Sequence, residues 1–277
     1  MSTTVHTPAR SAGDTAAPAA GARRRSAPAP IPFSRIVGVE LQKMFDTRAG
    51  FWLCASIAIV AVLAQVAITA FGPDSMITFE TYATAMGAPL QIILPLIAIL
   101  SVTSEWSQRS GLATFTLVPS RGKVIAAKGV DALLVGIAAS ALAIGIGALG
   151  YLVGSTITGV ERSWELSVTS TLLTILALML SLSMGFVLGL LFRSSPGAIV
   201  GYFVYAMLLP ALFGTLAGFQ QWFADLQPWV DLNYSATMLY DNVPDTEGWL
   251  QLATSAGIWL GIPLLVGAWL LRRSEIK

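Results

Sequence analysis

The chain has 277 residues, 55% of them hydrophobic and 11% charged, a balance outside the range of soluble globular domains. One cysteine and one histidine exclude an intramolecular disulfide and any metal centre built from His and Cys ligands. The net charge of +1 conceals a strong asymmetry along the chain, and that asymmetry sets the expected orientation.

Residues 1–30 are rich in Ala, Pro, Ser and Thr and hold too few large apolar side chains to offset the entropy of ordering them. They read as a disordered tail. Arg23, Arg24 and Arg25 within it suit anionic headgroups. A twin-arginine signal is not expected, because no short apolar region follows them before the long run at Phe51. Residues 31–277 form the second expected domain.

From Phe33 to Arg48 the periodicity is helical. Phe33, Ile36, Val37, Leu41, Met44 and Phe45 share one face, and Arg35, Gln42, Lys43 and Asp46 lie opposite. This predicts an amphipathic helix in the membrane interface. Glu40 projects within the apolar face, so it either meets a cation or backbone donor or snorkels to headgroups.

Six apolar runs follow, near Phe51–Ala70, Tyr82–Thr103, Val130–Val153, Val168–Phe192, Ala198–Phe219 and Leu252–Leu271. Each approaches the roughly 20 residues that cross about 30 Å of hydrocarbon as a helix. Nothing alternates in the manner of a barrel strand. The fold class expected is therefore all-α integral membrane with six transmembrane helices.

Cys54 in the first run reads as a small packing residue. Pro89 and Pro95 predict kinks or breaks in the second. The third is rich in glycine, and Ala177, Ser181, Gly185 and Gly189 in the fourth recur every four residues, so backbones approach closely there, within one subunit or between two. Between Phe219 and Leu252 lies the longest external segment, with Trp222, Pro228, Trp229, Tyr234, Tyr240, Pro244 and Trp249 and no basic residue. Aromatic rings in that number prefer the interface, which predicts short helices lying in, or dipping into, the outer leaflet. Tyr202, Tyr205, Pro228, Trp229 and Asn233 are the candidate cavity and gate residues.

With both termini on one side, that side receives Arg35, Lys43, Arg48, Arg109, Arg121, Lys123, Lys128, Arg193, Arg272, Arg273 and Lys277, together with the tail arginines. Only Arg162 falls opposite. The positive-inside rule makes the termini and the Ser104–Lys128 loop cytoplasmic.

No ionisable residue lies near the middle of any run, Asp131 being close to one end beside Lys128. Proton- or sodium-driven carriers and voltage sensors usually depend on such groups. The Gly122-Lys123-Val124 sequence fails as a phosphate-binding loop, since Leu117 stands for the earlier Gly and Val124 for the Ser/Thr. Energy for uphill movement is therefore expected from a partner acting on the Ser104–Lys128 loop.

Ser104-Glu105-Trp106, Arg109, Gly111, the Leu112–Leu117 stretch with Phe115, Pro119-Ser120-Arg121 and Lys128 resemble the first cytoplasmic loop of ABC type-2 exporter permeases, the transmembrane subunits of bacterial ATP-binding-cassette transporters. The resemblance extends over about Phe33–Lys277. It implies a bacterial plasma-membrane permease subunit that is not itself an enzyme. It also implies a separate ATP-binding partner holding ATP and Mg, and a second permease copy or paralogue. No cofactor of this chain's own and no nucleic acid is implied. Glu105, Arg109, Gly111, Leu112, Phe115, Leu117 and Arg121 would then form the ATPase-coupling loop, and Glu40, Lys43 and Arg48 would belong to the interfacial helix. Independently of the resemblance, Ser120 suits an N-cap and Pro119 a chain break before it. A non-transporting regulatory or assembly module, and a partner-independent channel or carrier, are the alternatives.

Overall fold

Long apolar runs in this chain fold as helices because every backbone donor and acceptor away from water needs a partner inside the protein. The computed structural model describes residues 31–46, 48–107, 121–241 and 243–273, without the side chains of residues 49, 105–107, 121 and 271–273. Among the described residues there are helices and no strands. Helix α1 is Phe33–Asp46, α2 Arg48–Phe71, α3 Phe79–Thr84 and α4 Gly87–Ser107. Helix α5 is Arg121–Thr158 and α6 Val168–Phe192. Helix α7, Ser195–Phe219, passes through a π turn at Val204–Leu208. Two short helices follow, α8 at Gln221–Val230 and α9 at Leu232–Asp241. Helix α10 runs as Thr246–Ala256, a π turn at Gly257–Gly261, and Ile262–Arg273.

Six helical segments are long and apolar enough to cross a membrane. They comprise α2, the α3–α4 pair, α5, α6, α7 and α10, so this is a multi-pass membrane protein with the expected fold class. The third segment exceeds its apolar run at both ends: α5 has 38 residues, a length of about 57 Å at 1.5 Å per residue. The described cations other than Arg162, namely Arg35, Lys43, Arg48, Lys123, Lys128 and Arg193, mark one end of the bundle, called the basic end below.

Helices α4 and α6 form the centre, with about half of each span buried. Their backbones meet at the four-residue ladder. A Cβ built on Gly185 would lie 2.4 Å from the Pro95 carbonyl oxygen, and one on Gly189 would lie 3.3 Å from the Ile99 Cα. The ladder thus serves contact within this chain. Gly147 does the same for α5, where a Cβ would meet the Tyr82 carbonyl oxygen at 2.6 Å.

The two prolines of the second span act differently. Pro89 falls in the first turn of α4, where its missing N–H leaves no intrahelical bond unmade. The expected interruption there lies instead just ahead of the helix, between α3 and α4. Pro95 is interior and removes the donor that the Gln91 carbonyl would otherwise receive. Tyr202 of α7 supplies a replacement, its hydroxyl donating to that oxygen at 2.5 Å, and Ser181 Oγ of α6 lies 3.2 Å from the same atom. A side-chain bond of this kind in membrane is worth roughly 0.6–1.7 kcal/mol. Tyr202→Phe is therefore expected to cost about 1 kcal/mol, read as a small fall in detergent melting temperature, with Ser181 still serving Gln91.

At the basic end, Arg193 closes α6 in the left-handed region with φ 52°. Its N–H donates to the Gly189 carbonyl at 3.0 Å, and Pro196 stands in the first turn of α7. The Arg193–Pro196 stretch is thus a tight turn.

Candidate functional site

Among the described residues, two places combine a buried carboxylate with polar contacts between distant elements. The first is at the basic end, where α1 packs along the start of α5. The apolar face of α1 turns inward at Ile36, with Leu41 and Met44 against the core, while Phe33 and Phe45 stay exposed. Glu40 is carried inward with that face and is 3% exposed.

Its carboxylate meets two ammonium groups. Lys43 Nζ of the same helix donates to Oε1 at 2.6 Å, and Lys128 Nζ of α5 lies 2.5 Å from Oε2. The Lys128 ammonium also donates to the Ser101 carbonyl of α4 at 3.1 Å. A single buried cation therefore ties α1, α4 and α5 together. One helical turn beyond Lys128, Asp131 is fully buried, and its carboxylate oxygens accept no hydrogen bond among the described residues. Of the two readings open for Glu40, the cationic partner is the one realised, and the partner is a residue 88 positions away in sequence.

Lys128 and Ser101 lie on the two helices that flank residues 108–120. Those residues are outside the described ones, and with them Arg109, Gly111, Leu112, Phe115, Leu117, Pro119 and Ser120. Glu105 and Arg121 occupy the facing ends of α4 and α5, and their side chains are likewise undescribed. Arg48 does not extend α1 but opens α2, where it is exposed.

The second place is built on α8 and α9. Tyr205 lies about 21 Å along α7 from Phe219, and Trp259 about 20 Å along α10 from Thr246, at 1.5 Å per residue. Both therefore sit near the middle of their spans, and their rings meet with centroids 5.3 Å apart. The α8–α9 hairpin reaches that level. Asn233 Nδ2 donates to the Tyr205 carbonyl at 3.0 Å, and Trp259 Nε1 donates to the Val230 carbonyl at 2.7 Å. The expected dipping helices are present, and their tip lies level with the middle of the spans.

Asp231 forms the tip and is 3% exposed. Its Oδ1 accepts from the N–H groups of Asn233 and Tyr234 at 3.0 and 3.3 Å, capping α9, while Gln227 Nε2 donates to Oδ2 at 3.1 Å. The side chain at the tip thus accepts from three donors, two of them backbone N–H groups of the helix that it caps. The sequence offered a signal for it: Pro228, Trp229 and Asp231 in one stretch form a break flanked by rings. That stretch reads as external because no long apolar run carries it.

Of the gate candidates, Tyr202 and Tyr205 are buried, at 2% and 6% exposure, and pack within this chain against Met184, Leu188 and Ile99. Pro228, Trp229 and Asn233 are half-buried around the tip. At the far end of α9, Gln91 Nε2 donates to the Tyr240 hydroxyl. Burial pushes that phenol above its ordinary range, and the Gln91 bond works in the opposite direction.

Among the described residues no three His, Cys, Asp or Glu side chains converge in the manner of a metal site. Comparison with family models and with curated proteins gives no match.

Proposed function

We propose that this chain is the membrane-spanning permease subunit of an ATP-driven exporter of the ABC type-2 kind. A separate subunit binds ATP and Mg and hydrolyses the nucleotide, and a second permease copy or paralogue completes the pathway. The membrane is the bacterial plasma membrane, with the basic end and both termini facing the cytoplasm.

One observation carries this reading. The two helices that flank residues 108–120 are fastened to each other and to α1 through the Lys128 ammonium, with contacts to Ser101 and Glu40. A push on the loop from a partner would reach three helices at once. An unpaired lysine in so buried a place would be costly, so the fastening is maintained whenever the helices are in register. Coupling elements of this sort transmit force through contiguous packed groups that have two arrangements.

The test is a cysteine at Phe115, in a Cys54→Ala background, crosslinked to a co-expressed ATP-binding subunit. A crosslinked species, together with loss of partner ATPase stimulation in Glu105→Ala, is the expected result. Absence of the crosslink with unchanged stimulation would remove the coupling assignment.

A further inference from the structure

Three spans of this protein, α2, α7 and α10, are held to the core far less than the others, and the last two of them share a further feature. Only 11% of α7 and 17% of the α10 span are buried, against 56% of the second span and 50% of α6. Each carries a π turn just before a proline, Val204–Leu208 before Pro210 and Gly257–Gly261 before Pro263. The registers are shifted by one residue: Leu209 N–H donates to the Val204 carbonyl, and Ile262 N–H to the Gly257 carbonyl. In that shifted register the next donor toward Tyr205 O would be residue 210, which as proline has none. The Asn233 amide takes its place.

The two weakened turns face each other through the Tyr205 and Trp259 rings, and the tip of the α8–α9 hairpin holds both. One bond runs from hairpin to α7 and one from α10 to hairpin. The hairpin is itself made rigid at that point by the Asp231 cap, and the Ser235 and Ser255 hydroxyls join α9 to the outer part of α10 at 2.6 Å. π turns and prolines are the usual causes of helix bending.

We infer that the hairpin tip is an intramembrane latch on two hinges. With Asn233 and Trp259 bonded, the π turns of α7 and α10 are fixed. When those two bonds open, Leu209–Phe219 and Thr246–Ala256 swing with the hairpin while α4 and α6 stay in place. The latch follows from the geometry of this chain, and its use as the outer gate of an export path rests on the permease reading.

Hydrogen–deuterium exchange on the purified chain in lipid nanodiscs tests it, comparing the wild type with Asn233→Leu and with Trp259→Phe. The second variant keeps the ring and removes only the donor. Both are expected to exchange roughly three- to tenfold faster across residues 204–210 and 257–263, with residues 93–102 and 179–190 unchanged. Unchanged exchange at both turns overturns the latch. Equal acceleration throughout α4 and α6 also overturns it, since the bonds would then be supporting the fold as a whole. If the local acceleration is found while the Phe115 crosslink is absent and partner ATPase stimulation is unchanged in Glu105→Ala, the latch stands and the export reading falls.

Discussion

Lys128→Met is expected to destabilise the protein by about 3–5 kcal/mol, the usual cost of stripping one partner from a buried ion pair. Glu40 is 3% exposed and, among the described residues, would retain only Lys43, whose side chain is 43% exposed. The Ser101 carbonyl would lose a donor as well. Most of this loss arises from the carboxylate left behind rather than from the value of the pair. Glu40→Gln combined with Lys128→Met is therefore expected to recover more than half of the loss. Thermal unfolding in detergent, followed by the fluorescence of a thiol probe on Cys54 as it becomes exposed, measures both variants. A double variant no more stable than Lys128→Met alone would show that the lysine acts by packing and not by pairing. In the proposed complex, the double variant is also expected to remain uncoupled, because the three helices would no longer share a charged tie.

Substitutions along the helix ladders are expected to follow the distances to the facing backbone. Gly185→Ala places a methyl 2.4 Å from the Pro95 carbonyl oxygen, an atom that no side-chain rotation can move aside. Separation of α4 and α6 by about an ångström is the available response, and overpacking of this sort costs about 1–3 kcal/mol, occasionally more. Gly189→Ala meets Ile99 at 3.3 Å and calls for a shift of a few tenths of an ångström, so its effect is expected to be smaller. Gly145→Ala meets nothing within 4 Å and is expected to be neutral or slightly stabilising through helix propensity. Melting temperatures of the three variants in one detergent give the order directly. A Gly185→Ala protein as stable as Gly145→Ala would contradict the close approach.

Several of these features can be read from residue order alone. The spans follow from hydropathy, the close approach on α6 from Ser181, Gly185 and Gly189, and the need of Glu40 for a partner from its place in an apolar face. The identity of that partner is not available from sequence, because Lys128 and Ser101 are brought to α1 only by the packing of α4 and α5. Pro89 and Pro95 show the same limit. Both predict a break, and the difference between them depends on where α4 begins, which is decided by the turn after α3. Asp231 was the larger omission. Hydropathy assigns depth from long apolar runs, and a pair of ten-residue helices that reaches the level of the mid-span residues and returns has none. Its depth is legible only once Asn233 and Trp259 are seen to bond across to the spans.

The carbonyl oxygens freed by prolines have a consequence for how the chain is made. Gln91 belongs to the second span to be synthesised, and its replacement donors, Ser181 and Tyr202, belong to the fourth and fifth. Tyr205 in turn waits for Asn233, which is synthesised later still. Until those residues emerge, each oxygen must remain near water or near the insertion machinery, since hydrocarbon offers it no donor. Insertion of this protein is therefore expected to be ordered: the second helix completes its backbone bonding once the fourth and fifth stand beside it, and the fifth once the α8–α9 hairpin has followed.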